Sequence, residues 1–144
     1  MELHDNIRAV RLISPVAAGT TGTGKTSAAS LGDRRGYGGV EIIFDYGTIT
    51  ATNATITATV LEGDVTGTMT SVADTNLLGT EALASITATT PRTSGVSKNV
   101  TKRIGYIGTK RYVQVKMVPT VTATTPIAAT MLLFNPSRAP TANP

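Results

Sequence analysis

The feature that most constrains the fold is an alternation of apolar and polar residues in short runs. In the run VEIIFDY at 40–46, every second residue is apolar, and Glu41 and Asp45 fall on the opposite face. Threonine, valine and isoleucine fill other runs, a composition typical of half-buried strands rather than helices. One face of each strand should therefore pack on a core and the other should face water. Strands are predicted at 10–14, 40–46, 55–60, 84–89, 100–107, 112–118 and 127–134.

Turn-forming residues separate these runs at roughly the spacing found in β-sandwiches. We therefore predict an all-β, single-domain β-sandwich or jelly roll, with a β-barrel as the second choice. The runs 100–107 and 112–118 are separated by Gly108-Thr109-Lys110 and are predicted to form a hairpin. Only Thr75–Leu83 could form a short helical turn, because Gly79 in its middle weakens anything longer.

The domain is expected to occupy residues 1–134, with two irregular segments. Residues 15–38 are rich in Gly, Thr and Ser and are predicted to be one long loop, a kind of loop that is usually functional or ordered on binding. The last residues, 135–144 (NPSRAPTANP), contain three prolines and no alternation. They are predicted to form an extended C-terminal arm.

Residues 19–26 (GTTGTGKT) match the nucleotide-binding pattern G-x-x-x-x-G-K-[ST] through Gly19, Gly24, Lys25 and Thr26. A working phosphate loop needs a helix that begins at its Gly-Lys-Thr. Downstream, Gly32, Gly36, Gly38 and Gly39 arrive before such a helix could gain an apolar face. The match is therefore interpreted as chance in a chain rich in Gly and Thr, and no ATP binding or other cofactor is expected.

Composition argues against several other functions. The chain has no cysteine and a single histidine, His4, so neither a thiolate or imidazole metal site nor a Ser-His-acid triad is expected, and we predict no enzyme activity. The apolar runs are too short to cross a bilayer and the first residues lack the layout of a signal peptide, so a protein made in the cytoplasm is expected. A net charge of +4 with 4% aromatic residues makes nucleic acid an improbable partner and suits an acidic protein partner.

Basic residues form two groups that could contact such a partner. Arg34 and Arg35 lie in the long loop, where an arginine can make two parallel hydrogen bonds to a carboxylate. A second group follows the predicted hairpin, where a charged outer face that prevents aggregation is the alternative interpretation. The predicted contact residues are Arg34, Arg35, Tyr37, Arg103, Lys110, Arg111 and Arg138.

Four stretches carry a family resemblance: DRRGY at 33–37 leading into VEIIFDYG, VADTNLLGTE at 72–81, KRIGYIGTKRYVQV at 102–115, and LLFNPSRAPT at 132–141. Together they resemble a group of small proteins in the head modules of tailed bacteriophages and prophages, near the major capsid protein. The resemblance spans most of the chain. It diagnoses no chemistry and carries over no functional residue.

The resemblance implies a virion structural protein, and a head decoration (cement) protein in particular. Its implied partner is the major capsid protein, and decoration at local threefold positions implies a homotrimer. The implied location is the phage head, assembled in the host cytoplasm. A head–tail completion protein or a tail protein is the alternative, and a P-loop protein is the remote one.

Overall fold

Two antiparallel sheets packed face to face form the domain in a computed structural model that describes residues 3–88 and 98–138. The strands are β1 (Ile7–Gly19), β2 (Lys25–Thr26), β3 (Tyr37–Tyr46), β4 (Ala54–Val65), β5 (Thr68–Ser71), β6 (Leu77–Leu78), β7 (Ile86–Ala88), β8 (Val100–Tyr106), β9 (Tyr112–Pro119) and β10 (Ala123–Pro136). The first sheet has the strand order β1-β10-β3-β8-β6, and the second has the order β2-β9-β4-β5, with β7 also paired to β4. Short 3-10 turns lie at His4–Asn6, Ala29–Gly32 and Asp74–Asn76, and one helix, α1, spans Glu81–Ala84. No helix in the described ranges has the length and apolar character needed to cross a membrane.

The core lies between the sheets and is filled by alternate residues of four long strands. In β3, every second residue from Val40 to Tyr46 is buried, while Glu41 and Asp45 point outward as the sequence predicts. Strands β4, β9 and β10 show the same period of two. The largest fully buried side chains include Phe44, Ile42, Ile56, Met117 and Met131.

Helix α1 covers a gap along β4. Strand β7 pairs with residues 54–56 of β4 and β5 pairs from residue 61 onward, which leaves the amides of Ala58 and Val60 without a strand partner. The Ser85 hydroxyl accepts from the Ala58 amide at 2.9 Å, and a Glu81 carboxylate oxygen accepts from the Val60 amide at 2.6 Å. Side chains thus replace the missing strand, and α1 falls partly within the segment predicted to form a helical turn.

The predicted all-β sandwich is confirmed, because the strands of the described residues form two separate sheets and not a closed barrel. The predicted hairpin is wrong. Strand β8 pairs with β3 and β6 in the first sheet, whereas β9 pairs with β2 and β4 in the second. The connection is therefore an arch between sheets, which lets both strands bury alternate residues in the same core.

Both irregular segments differ from their predicted bounds. Strand β1 continues through Gly19, so the connection to β3 covers residues 20–36 and contains β2 and a 3-10 turn. Strand β10 includes Asn135 and Pro136, so the first two residues of the predicted arm belong to the sheet. Residues 139–144 of the arm lie outside the described residues.

The segment that matches a phosphate loop forms a tight turn that connects β1 of the first sheet to β2 of the second. Its amides already have carbonyl partners: Gly22 donates to Pro119 at 3.0 Å, and Thr23 and Gly24 donate to Thr20 at 3.1 and 3.2 Å. Lys25 begins β2 and pairs with Met117, so no helix follows the Gly-Lys-Thr. This geometry does not fit a cradle of free amides around a phosphate.

The structure requires glycine at position 24. Its φ is +60°, in the left-handed region, and a Cβ there would overlap the Met117 carbonyl oxygen on β9. Gly22 has a φ of +74° but nothing within 4 Å of such a Cβ. The close approach of β2 to β9 therefore requires glycine at 24 and not at 22.

We expect Gly24→Ala to lower the free energy of unfolding by about 2–4 kcal/mol, because it adds both backbone strain and a clash with β9. The control Gly22→Ala adds strain alone and should cost about 1–2 kcal/mol. Urea denaturation of both variants measures the difference. Equal losses would contradict the close approach described here.

Candidate partner-binding site

A depression of about 310 Å³ at one end of the sandwich is lined by four cations and no carboxylate. Two loops form it: the turn before β3 and the arch between β8 and β9. Its lining residues are Arg34, Arg35, Gly36, Tyr37, Thr109, Lys110 and Arg111. We call this surface the cationic depression.

A tight turn over residues 34–37 presents the two loop arginines. The Tyr37 amide donates to the Arg34 carbonyl at 3.0 Å, and Gly36 at the third position has a φ of +89°. These features fit a type II turn, which needs a positive φ at its third residue. An Asp33 carboxylate oxygen accepts from the Arg35 amide at 3.0 Å and fixes the turn from its start.

Arg111 joins the two loops. Its Nε donates to Asp33 Oδ1 at 3.1 Å and its Nη2 donates to Asp33 Oδ2 at 2.7 Å, a two-bond ion pair. The guanidinium also stacks over the Tyr112 ring, 4.6 Å from the centroid. The Arg111 hydrogen bonds hold the pKa of Asp33 below its usual range, and Asp33 in turn raises the pKa of Arg111.

Tyr106 anchors the arch from inside the core. Its hydroxyl donates to Glu62 and accepts from the Lys110 amide, and the latter bond is 3.1 Å long. Burial, together with the hydrogen bond to Glu62, raises the pKa of Tyr106 to about 12. Arg34 lies over the Tyr106 ring and donates to the Gly108 carbonyl. The arch is thus held by two contacts, from the Tyr106 hydroxyl to Lys110 and from Arg34 to Gly108.

The cations of the depression differ in how far they are neutralised. Lys110 donates to Asp64 at 2.6 Å, which raises the pKa of Lys110 and lowers that of Asp64, and Arg111 is paired with Asp33. Arg34 donates to a carbonyl and forms no ion pair with the carboxylates that the structure describes. In the described part of the chain, no ion pair or hydrogen bond involves the exposed Arg35 guanidinium. The depression therefore keeps positive charge for a ligand.

The structure brings together five of the predicted contact residues, since Arg34, Arg35, Tyr37, Lys110 and Arg111 all line this surface. Arg138 is exposed and follows Ser137, whose amide donates to the Gly36 carbonyl at 2.7 Å. Arg138 therefore directly follows a residue that is hydrogen-bonded to the turn over residues 34–37.

Arg103 does not belong to this group. It lies on the outer face of the first sheet, 3.6 Å from Glu41, with 80% of its side chain exposed.

Sequence reasoning missed the groups that hold the depression in place. Glu62 and Asp64 belong to β4, where they bind Tyr106 and Lys110, and no sequence motif marks them. Asp33 was noted only as part of a familiar stretch, because its partner Arg111 is 78 residues away. Among the residues described, no group of three or more His, Asp or Glu side chains could hold a metal ion.

Comparison with known proteins gives a likeness of fold. No protein-family model matches the chain, and no curated protein matches it in sequence. Among solved structures, the PBSX exported protein XepA superposes with a TM-score of 0.53 and 13% identity over 94% of this chain. The alignment covers 40% of XepA, so the chain spans less than half the length of that protein.

Weaker likenesses include the infectious bursal disease virus Gx strain and xylanase 10B of Clostridium thermocellum. The viral chain has a TM-score of 0.46 and 10% identity, with 90% of this chain and 32% of that chain covered. The CBM22-1-GH10 modules of the xylanase have a TM-score of 0.47 and 9% identity, with 97% and 28% covered. At such identities a likeness shows the fold alone.

We expect Asp33→Asn to lower the free energy of unfolding at pH 7 by about 1 kcal/mol or less, since water screens this partly exposed pair. Because the folded pKa of Asp33 is lowered, its stabilisation is complete above the unfolded pKa of about 4 and is lost as the pH falls through the folded value. The difference between the two proteins should therefore be constant from pH 7 to about 5 and should shrink below about 4.

Urea denaturation across this pH range measures that difference. Asp74→Asn, an exposed change outside the cluster, is the control and should leave the pH profile of the parent protein unchanged. A difference between the parent protein and Asp33→Asn that stays constant down to pH 2 would contradict the ion-pair assignment.

Proposed function

We propose that this chain is a non-enzymatic structural protein of a tailed-phage virion, which decorates the head by binding the major capsid protein. The observation that carries the proposal is the cationic depression: within residues 3–88 and 98–138, Arg34 and Arg35 form no ion pair at this end of the domain. The resemblance of four sequence stretches to phage head-module proteins supports the virion setting. The likeness to XepA supports the sandwich fold that the role would use.

The ligand of the depression is a carboxylate-bearing surface of the partner. An arginine guanidinium can donate two parallel hydrogen bonds to one carboxylate, and no ion pair among the described residues engages the Arg35 guanidinium. The turn that carries it is fixed by Asp33, Arg111 and the arch before any partner binds. Little conformational entropy is then lost on docking, which strengthens association.

A homotrimer at local threefold positions of the head is part of the proposal. Such an arrangement presents three cationic depressions to the shell at once, and linked contacts raise the overall avidity beyond that of one site. The proposal assigns no catalytic residue and no cofactor. Residues 19–26 serve in it as a structural connection between the sheets, because their amides pair with Pro119 and Thr20.

Charge reversal at Arg35 tests the site. We expect Arg35→Glu to weaken binding to undecorated heads by about tenfold or more, because a carboxylate would face the acidic surface of the partner. Arg103→Glu is the matched variant: it reverses an exposed arginine on the outer face of the first sheet and should retain binding. Co-sedimentation with heads measures both, after equal urea midpoints show that each variant folds.

The opposite pattern, with binding lost in Arg103→Glu and kept in Arg35→Glu, would overturn the cationic depression as the docking surface. Quantitative mass spectrometry of purified particles tests the role itself. Decoration requires on the order of hundreds of copies per particle, whereas a head–tail junction holds about a dozen or fewer. Particles that lack the chain altogether would refute a virion role.

A further inference from the structure

Strand β1 leaves one side of its backbone open. It stands at the end of the first sheet and pairs only with β10 in the described part of the chain. From Arg8 to Arg11 its register with β10 is continuous, opposite Leu133 to Thr130. Beyond Arg11 the strand has three register shifts and contains Pro15. The regular open edge is therefore short, about the length that one added strand of a few residues would cover.

A groove of about 510 Å³ runs beside this edge. Its apolar side is formed by Val10 and Leu12 of β1 and by Leu31, which projects from the 3-10 turn at Ala29–Gly32. Leu12 is buried, whereas 45% of Leu31 is exposed. An apolar side chain placed in the groove would cover Leu31 and bury more surface.

Two arginines flank the groove. Arg8 and Arg11 are both exposed and both line it, and neither takes part in an ion pair within the described ranges. An open edge carries unpaired amides and carbonyls that another strand can bind, and charges on it select which strand. Arg11 lies on the outer face of β1 with Ala9, whereas Arg8 lies on the core-side face with Val10. Arg11 therefore favours an acidic residue on the outer face of the incoming strand.

A second copy of the chain would meet like charges at this edge in one register. Antiparallel pairing of two β1 strands about Ala9 and Val10 would set Arg8 of one copy opposite Arg11 of the other. Like charges directly opposite each other in a sheet are destabilising. The arginines therefore disfavour that register of self-pairing, whereas an acidic segment meets no like charge from them.

We propose that the edge of β1 from Arg8 to Leu12 binds an extended segment of a partner protein by strand addition. The segment alternates apolar and acidic residues, with apolar side chains on the core-side face against Leu31 and carboxylates on the outer face beside Arg11. This site is separate from the cationic depression and goes beyond the proposed function. Its test needs only the purified protein and synthetic peptides, without phage heads.

The probe is a capped, fluorescently labelled peptide of about seven residues that alternates valine and glutamate. By fluorescence anisotropy at low salt, we expect it to bind at least about tenfold more tightly than a matched valine–lysine peptide. The double variant Arg8→Glu/Arg11→Glu should reverse this preference. Arg35→Glu should leave it unchanged, which separates this surface from the cationic depression. Hydrogen exchange should slow within residues 8–12 when the acidic peptide binds.

Three results would overturn the proposal. The first is equal affinity for both peptides, including no binding of either. The second is undiminished binding of a glutamate peptide that is N-methylated at alternate amides, because strand addition needs those donors. The third is a dimer of the free protein, seen by light scattering, that is lost in the double variant, since the edge would then be occupied by a second copy. Loss of head binding in Arg35→Glu has no bearing on these outcomes.

Discussion

Packing of alternate apolar side chains between two sheets is the interaction on which the rest of the structure depends. The chain has no cysteine for a disulfide, and the described part has no cluster of metal ligands. Stability must therefore come from buried residues such as Phe44 and Met131 on one sheet facing Ile56 and Met117 on the other. Since a one-residue slip would turn these side chains outward, the same packing also fixes which side chains each strand presents to solvent.

The arch between β8 and β9 assembles the cationic depression that we propose as a docking surface. Because the chain crosses from one sheet to the other there, Lys110 and Arg111 meet the turn that carries Arg34 and Arg35. Asp64 and Asp33 hold the arch and neutralise Lys110 and Arg111, and in the described ranges neither carboxylate forms an ion pair with the Arg34 or Arg35 guanidinium. A rigid scaffold with free charge at one end is suited to recognising a partner, and the open edge of β1 provides a second surface of different character.

Much of the fold could be predicted because alternation is a local signal. The run 40–46 lies within β3 and the run 112–118 lies within β9. Prediction was weaker where the pattern breaks: β1 shifts register after Arg11, where the adjacent Leu12 and Ile13 are both buried, and the predicted strand 10–14 covers only part of Ile7–Gly19. The two-residue strands β2 and β6 are too short for any periodicity. The contact residues of the candidate site were selected by charge and loop position, whereas Asp33 and Glu62, which hold it, gave no such signal.

By itself, the sequence determined an all-β chain, the inward and outward faces of its long strands and its excess of positive charge, because these depend on residue type and on spacing along the chain. Tertiary structure alone decided the pairing of strands. It made an arch where short spacing indicated a hairpin, and it joined Asp33 to Arg111 across 78 residues. It also gave the GTTGTGKT pattern its role, since the amides of that segment bond to Thr20 and Pro119. These outcomes depend on which distant groups meet, and no local pattern encodes that.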